Sequence, residues 1–167
     1  IVFGGSGFVG SAVADELTRQ GHIVTIFDIN KYKYISSKQK MIIGDIRDLN
    51  NVSKSIKKND CVYNFAAIGD ISAADKLPLD TCNINIIGNL NILESIKKSK
   101  KKYIFASTIY VYGEEGGIYR CSKQAAELLI EEYSKKYSLN YVILRFGSLY
   151  GPRCDKNNGL YKILFNS

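Results

Sequence analysis

Short apolar runs alternate along this chain with longer stretches that have a helical period. Six runs are continuous in apolar residues and rich in β-branched or aromatic side chains. Runs of this kind are typical of strands that are buried on both faces, as in a parallel sheet. The pattern therefore predicts six strands, at residues 1–3, 23–27, 41–43, 61–65, 103–106 and 141–144.

Between these runs, the spacing of polar and apolar positions indicates helices at residues 8–20, 50–58, 81–99 and 118–137. In the last of them, side chains able to face a core recur every three or four residues and form one stripe. The stripe consists of Ala125, Leu128, Leu129, Glu132 and Tyr133. Regular alternation of strands and helices predicts an α/β fold, a Rossmann-type doubly wound parallel sheet with helices on both faces.

The composition narrows the classes of function. The chain is 46% apolar and 23% charged, which suits a protein that buries a core. No apolar run approaches the roughly 20 residues that a membrane helix needs, so we expect no membrane partner. Four widely spaced cysteines and a single histidine argue against a disulfide framework or a zinc site. We therefore expect no metal and a reducing, cytoplasmic location.

The net charge of +7 raises the hypothesis of a nucleic-acid partner. Such a partner needs positive charge clustered on one face. The lysines are scattered along the chain except in residues 97–102, five of which are lysine. That run lies where a helix is predicted to end, and cations there interact favourably with the helix dipole. We therefore expect a solvated helix terminus and no nucleic-acid partner.

A glycine-rich turn follows the first strand and opens the first helix. Gly4 permits the tight turn, Gly7 lets the backbone approach a pyrophosphate, and Gly10 lets the helix pack against the strand. Phe8 and Val9 complete the turn, and the helix N-terminus offers unpaired N–H groups to phosphates. The pattern predicts a dinucleotide cofactor bound by these five residues.

The end of the second strand indicates which dinucleotide this is. Asp28 stands 18 residues beyond Gly10, where a carboxylate accepts hydrogen bonds from the adenosine ribose hydroxyls. The same negative charge repels a 2′-phosphate. The cofactor is therefore predicted to be NAD rather than NADP.

The spacing Gly-x-x-Gly-x-x-Gly resembles that of the short-chain dehydrogenase/reductase superfamily. The likeness is to the extended branch, which comprises NAD-dependent nucleotide-sugar epimerases and dehydratases such as UDP-glucose 4-epimerase. Four further segments resemble motifs of this family, at residues 44–48, 64–67, 83–88 and 144–153. The resemblance thus runs the length of the chain, although Asn64 replaces the usual histidine.

The resemblance implies roles for residues in these segments. Asp45 and Ile46 would meet the adenine, Ala66 and Ala67 would flank the cofactor, and Asn85 would support the active site. The segment 144–153 would pass the nicotinamide. The implied partner is a nucleotide-sugar substrate, and the implied assembly of the full-length protein is a homodimer.

Tyr119 and Lys123 form the candidate catalytic pair. Residues four apart share one helix face, so the ammonium can lie beside the phenol and the cofactor ribose. An unperturbed tyrosine, with a pKa of about 10, is a poor base at neutral pH. We expect the ammonium and the positive nicotinamide to lower that pKa. In the resemblance, Thr108 is the hydroxyl residue that hydrogen-bonds the reacting sugar oxygen.

Two departures from the family pattern bear on the reaction. The loop at residues 113–119 is shorter than is usual, so the mouth of the sugar site is expected to differ. Sugar 4,6-dehydratases carry acidic residues directly after the threonine, where this chain has Ile109 and Tyr110. Neither side chain can exchange protons as a carboxyl does at neutral pH, which disfavours dehydration.

The sequence is compatible with several functions. The leading hypothesis is an NAD-dependent epimerase that acts on a nucleotide-activated sugar through a transient keto intermediate. The alternatives within the family are a nucleotide-sugar reductase or dehydrogenase, and a dehydratase. An alternative from another class is a non-catalytic NAD-binding regulator, which would not need Thr108, Tyr119 and Lys123 together.

The domain organisation follows from the same reading. Residues 1–150 are expected to form the NAD-binding Rossmann domain, and residues 151–167 the start of a C-terminal substrate-binding region. The chain opens at Ile1 and ends within a new apolar pattern at residues 160–165. We therefore expect both ends to be cut, most of the substrate domain to be missing, and the last segment to protrude or pack loosely.

Overall fold

One parallel sheet organises the part of the chain that the computed structural model describes, residues 1–154, 161 and 163. In these residues, the sheet has six strands in the order β3-β2-β1-β4-β5-β6, and every neighbouring pair is parallel. The strands are β1 (Val2–Phe3), β2 (Val24–Asp28), β3 (Gln39–Ile43), β4 (Cys61–Asn64), β5 (Lys102–Thr108) and β6 (Tyr141–Phe146). The predicted strands and fold class are confirmed.

Helices connect consecutive strands, except that β2 and β3 are joined by a loop. The helices are α1 (Phe8–Arg19), α2 (Leu49–Ile56), α3 (Ile71–Lys76), α4 (Pro78–Cys82), α5 (Asn89–Ile96) and α6 (Gly117–Tyr137). A π-helical segment, Asn83–Gly88, joins α4 to α5, and a 3-10 turn, Ile109–Tyr112, follows β5. The helix predicted at 81–99 therefore begins earlier, at Pro78. The short α3, which Asp70 caps by accepting from the Ala73 N–H, was not predicted.

Side chains that alternate along each strand divide the core between the two faces of the sheet. On one face, Val2 and Ile26 pack with Ala14 of α1. On the other, Phe3 and Phe27 belong to a larger cluster with residues of α2, α5 and α6. Helices therefore cover both faces, and the chain changes direction between β1 and β4. Ligands of doubly wound sheets bind at such a switch point, beyond the carboxyl ends of the strands.

The stripe predicted for α6 was wrong at two positions. Leu128 is 62% exposed and Glu132 is also exposed, while Leu129 and Tyr133 pack against the edge of the core. The face that α6 buries consists of Ser122, Lys123, Ala126, Glu127 and Ile130. The helix is turned toward two charged residues because their side chains find partners on the sheet, as described below.

Among the described helices, none is both long enough and apolar enough to cross a membrane. The expectation that residues 160–165 protrude or pack loosely falls for the most part outside the described residues.

Candidate functional site

The glycine turn lies at the carboxyl edge of the sheet between β1 and α1. Gly4 has a φ of +70°, a value that favours glycine, and its N–H donates to the Phe27 carbonyl at 2.9 Å. A Cβ on Gly4 would stand 2.5 Å from the Ala66 nitrogen. A Cβ on Gly10 would stand 2.2 Å from the Gly4 carbonyl oxygen. The turn, the helix and the loop after β4 thus come too close together to admit any side chain at these positions.

The Asp28 carboxylate is fixed at the end of β2 by two backbone donors. Its Oδ2 accepts from the Ser6 N–H at 3.0 Å, and its Oδ1 accepts from the Asn30 N–H at 2.9 Å. These bonds tie the glycine turn to the loop after β2. They leave the carboxylate at the border of a cavity beside the glycine turn.

A cavity of about 340 Å³ opens between the glycine turn and the loops after β2, β3 and β4. Seven of the residues predicted to bind the cofactor line it, namely Gly4, Gly7, Asp28, Asp45, Ile46, Ala66 and Ala67. Phe8 instead lines a neighbouring cavity of about 400 Å³. Val9 and Gly10 lie in the first turn of α1, and Asn85 and Lys123 lie in the π-helical segment and α6. The structure therefore brings most of the predicted set to one cavity.

Arg47, which the sequence reading did not single out, also lines this cavity. Its guanidinium donates to both oxygens of Asp45, with the shortest contact at 2.6 Å. Hydrogen bonding by Arg47 lowers the pKa of Asp45. Arg47 lies within the segment 44–48 that the sequence marked, but its pairing with Asp45 depends on how that segment turns after β3.

Two asparagines hold the loop after β4 that forms one wall of the cavity. Asn85 Oδ1 accepts from the Ile68 N–H at 2.9 Å, and its Nδ2 donates to the Ile68 carbonyl at 3.1 Å and to Ser122 Oγ at 2.9 Å. Asn85 thus links the loop to α6, between Tyr119 and Lys123. Asn64 Oδ1 accepts from the Ala66 N–H at 3.1 Å.

Asn64 also belongs to a buried polar network that sequence reasoning missed. Its Nδ2 donates to the Tyr103 hydroxyl at 3.0 Å, and that hydroxyl donates to Asn89 Oδ1 at 2.6 Å. Burial raises the pKa of Tyr103, so its hydroxyl stays a donor. In the sequence, Tyr103 fits an apolar strand equally well, and only the register of β4 and β5 reveals the contact.

Thr108, Tyr119 and Lys123 meet where β5 ends against α6. Lys123 Nζ donates to the Ala106 carbonyl at 2.8 Å and lies 5.9 Å from the centre of the Tyr119 ring. Thr108 is buried, and its hydroxyl oxygen accepts from the Tyr110 N–H at 3.3 Å. The three candidate catalytic residues are therefore neighbours in space although they lie on two elements.

The net effect of the protein's own groups is to raise the pKa of Tyr119. Burial raises that pKa, the Thr108 hydroxyl opposes the change by favouring the ionised phenol, and Tyr110 adds to the rise. Lys123, whose ammonium donates to the Ala106 carbonyl, is not among the groups that shift this pKa. Burial also lowers the pKa of Lys123 to about 8.

The short loop before α6 is closed by specific contacts. Gly116 and Gly117 have φ values of +100° and +50°, and Asp75 of α3 accepts from the Ile118 N–H at 3.0 Å. A Cβ on Gly117 would stand 2.4 Å from the Asp75 carboxylate. The 3-10 turn beside this loop leaves its apolar and phenolic side chains exposed, at Ile109, Tyr110 and Tyr112. The turn therefore presents apolar and phenolic groups, while the loop that follows it exposes the carboxylates of Glu114 and Glu115.

Arg153 is a further residue whose position sequence reasoning missed. It donates to the Tyr32 hydroxyl at 2.7 Å and pairs with Asp15 at 2.8 Å, and its guanidinium lies 5.0 Å from the centre of the Tyr34 ring. It lines the 400 Å³ cavity together with Ser6 and Gly7. The end of segment 144–153 thus reaches the glycine turn. The resemblance to the family implied only that this segment passes the nicotinamide.

A metal centre was not predicted. Within residues 1–154, 161 and 163, no group of three or more His, Cys, Asp or Glu side chains is arranged to hold a metal ion.

Comparisons with known proteins identify the family of this chain. The sequence model of the NAD dependent epimerase/dehydratase family matches residues 1–166. UDP-N-acetyl-alpha-D-glucosaminuronate decarboxylase of Bacillus cytotoxicus is 33% identical, over 92% of this chain and 55% of its own length. The chain thus spans about half the length of this curated relative.

Two solved structures superpose closely on the chain. UDP-glucose 4-epimerase of Thermotoga maritima with UDP-glucose gives a TM-score of 0.89 at 28% identity, covering 97% of this chain and 60% of the other. UDP-glucose 4-epimerase of Thermus thermophilus in complex with NAD gives a TM-score of 0.87 at 28% identity, covering 98% of this chain and 59% of the other. With the family match over almost its whole length, the chain belongs to the NAD dependent epimerase/dehydratase family.

Proposed function

We propose that this chain is the cofactor-binding part of an NAD-dependent epimerase that acts on a nucleotide-activated sugar through a transient keto intermediate. The observation that carries the proposal is the meeting of Thr108, Tyr119 and Lys123 at the sheet edge where the glycine turn and Asp28 line a cavity. The similar structures of UDP-glucose 4-epimerases with UDP-glucose and with NAD support it.

The residues around the cavity fit NAD. The turn at Gly4 and Gly10 has no room for side chains, so backbone and the N–H groups at the start of α1 would face the pyrophosphate. Asp28 would accept from the adenosine ribose, and Ile46 and Ala66 offer apolar walls. When bound, NAD supplies the hydride acceptor and donor and a positive charge that favours the Tyr119 phenolate.

The chain's own groups would then act as follows. Tyr119 Oη removes the proton from the sugar hydroxyl and later returns it, as a general base and then a general acid. The Thr108 hydroxyl holds the same sugar oxygen and stabilises its developing charge. Lys123, charged below a pKa of about 8, holds the ribose hydroxyls and orients the cofactor beside Tyr119. Asn85 keeps α6 in register with the loop after β4.

The identity of the two residues directly after Thr108 favours epimerisation over dehydration. Ile109 and Tyr110 lie in the 3-10 turn directly after Thr108, and neither carries a carboxyl group. Elimination of water would need such a group to exchange protons near neutral pH. A reductase or dehydrogenase would use the same three residues but release or take up the keto sugar.

The reaction is tested by incubating the full-length protein with NAD and UDP-hexoses and separating the products. The proposal expects two epimers that approach the same ratio from either starting sugar. A 4-keto-6-deoxy sugar would instead show a dehydratase, and net NADH formation a dehydrogenase. Release of carbon dioxide from a UDP-uronic acid would show a decarboxylase. Binding of NAD with no turnover of any sugar would favour the regulator.

Asp28 is expected to set the preference for NAD over NADP. Because its carboxylate would meet the 2′-phosphate of NADP, NAD should bind much more tightly. Replacing Asp28 by Ala should weaken NAD binding by about tenfold or more, as expected when a hydrogen bond to a charged group is lost. The same change should reduce the difference in affinity between NAD and NADP. Calorimetric titration with both cofactors measures this. Asp60→Ala, an exposed carboxylate just before β4, is the control. Equal affinities in the native protein would refute the assignment.

We also propose that the full-length protein is a homodimer in the cytoplasm. Large apolar side chains are exposed on α4, the π-helical segment and α6, where Leu79 is 80%, Ile87 46% and Leu128 62% exposed. If these side chains face one surface, it would suit contact with a second copy, because contiguous exposed apolar patches mark interaction sites. The four cysteines are free, which supports a reducing compartment.

A further inference from the structure

Helix α6 buries two charged side chains on the face that it turns toward the sheet. Lys123 is 3% exposed and Glu127, one turn later, is 5% exposed. Residues four apart stack on one helix face, so the two charges lie along the same side of α6. Burying a charge is costly unless it is paired or hydrogen-bonded. The partners of each group therefore indicate what the arrangement does.

Glu127 is paired with Arg145 of β6. The guanidinium donates to both carboxylate oxygens, with the closest contact at 2.6 Å from one terminal nitrogen and the Nε contacts at 3.1 and 3.2 Å. Its other terminal nitrogen donates to the Tyr112 hydroxyl at 2.5 Å. In the sheet, Arg145 is in register with Ser107, one residue before Thr108. Glu127 is thus joined, through Arg145, to the turn at the mouth of the candidate site.

Lys123 has a weaker set of partners. Its ammonium donates to the neutral Ala106 carbonyl and lies 4.8 Å from the centre of the Phe105 ring. Among the described residues, no carboxylate lies within ion-pair distance of it. Burial lowers its pKa to about 8, and Glu127 opposes that change through its negative charge.

Other ionisable groups near the pair come from three elements. Tyr119 precedes Lys123 on α6, Tyr110 and Tyr112 come from the 3-10 turn, and Arg145 comes from β6. The π-helical segment contributes the uncharged Asn85 through Ser122. Glu127 is therefore the nearby negative charge that can balance Lys123, and Arg145 competes with Lys123 for it.

We propose that Glu127 is a positioning residue for Lys123, whose negative charge keeps the buried ammonium protonated, and that Arg145 limits this effect by sharing the carboxylate. The inference rests on the proposed function for its consequence, because only a charged Lys123 can hold the cofactor ribose. The protonation of Lys123 itself is measured without cofactor or substrate.

Lysine labelled with ¹³C at Cε reports the protonation of Lys123 by NMR, and the loss of one signal in Lys123→Met assigns it. Glu127→Gln is expected to lower the Lys123 titration midpoint by about one unit or more, as for loss of a nearby opposite charge. Arg145→Gln is expected to raise it, because the carboxylate then acts on Lys123 alone. Glu132→Gln, an exposed carboxylate on the same helix, should leave it unchanged.

The two substitutions are thus expected to shift the Lys123 midpoint in opposite directions. A merely structural role predicts instead that Glu127→Gln and Arg145→Gln only destabilise the fold. The proposal would be overturned if Glu127→Gln left the Lys123 midpoint unchanged within a few tenths of a unit. It would also be overturned if Arg145→Gln lowered that midpoint. Should Glu127→Gln not fold, the direction of the shift in Arg145→Gln decides, with Glu127→Asp expected to titrate like the native protein.

A calorimetric titration with NAD across pH 6 to 9 links the result to the cofactor. Native affinity should fall as the pH rises through the Lys123 midpoint, and Glu127→Gln should move that fall to lower pH. Failure of the native protein to bind NAD at any pH would count against the proposed function. The NMR midpoints would still decide the role of Glu127.

Discussion

Phenylalanine in place of Tyr119 is expected to lower the turnover of a nucleotide sugar by about 10²–10⁴-fold, the range for loss of a general acid–base group. The substitution removes one oxygen and keeps the ring that packs beside Lys123. NAD affinity should stay close to that of the native protein, because the cavity of about 340 Å³ is lined by other residues. The expected signature is therefore a large loss of kcat with cofactor binding intact.

The measurement compares the initial rate of epimer formation with the calorimetric affinity for NAD in the full-length protein. Tyr137→Phe, at the end of the same helix, is the matched control and should retain native turnover. A rate for Tyr119→Phe within a factor of a few of the native rate would remove Tyr119 from the mechanism. Equal loss of NAD binding and turnover would show a structural role instead.

The candidate site residues that local spacing places well in the fold depend on short stretches of chain. The glycines of residues 4–10 and the carboxylate at Asp28 belong to one strand–turn–helix unit and the strand beside it. Local spacing is therefore enough to predict where they lie. The same holds for Tyr119 and Lys123, whose separation of four residues places them on one helix face.

The features that were missed depend on packing between distant segments. Tyr103 fits an apolar strand, and its bonds to Asn64 and Asn89 exist only because β4 and β5 pair in one register. Arg153 reaches Asp15 across more than a hundred residues of chain. No pattern within either segment marks such a contact.

Helix α6 forms where it was predicted, but the face that it buries differs from the predicted one. Periodicity counted Leu128 as buried and gave no weight to Glu127, because an apolar residue inside and a charge outside is the usual arrangement. The structure reverses the two, since Arg145 on the sheet accommodates the carboxylate. Burial, which a sequence does not show, also outweighs the neighbouring Thr108 hydroxyl among the protein's own effects on the pKa of Tyr119.

Alanine in place of Gly10 is expected to weaken NAD binding by at least about tenfold, or about 1.4 kcal/mol, and to lower the free energy of unfolding. The new Cβ would stand 2.2 Å from the Gly4 carbonyl oxygen, a backbone atom that cannot rotate away. Relief requires α1 to move off β1, and overpacking of this kind costs about 1–3 kcal/mol. The same movement displaces the helix N-terminus from the phosphate site.

Chemical denaturation measures the stability, and calorimetry measures the NAD affinity. Gly69→Ala is the matched control, because it lies in the loop after β4 and a Cβ there meets nothing within 4 Å. It should leave both quantities close to native. Because the two effects of Gly10→Ala have one cause, they should appear together. Native NAD affinity in a destabilised Gly10→Ala protein would show that the phosphates are bound elsewhere than at the start of α1.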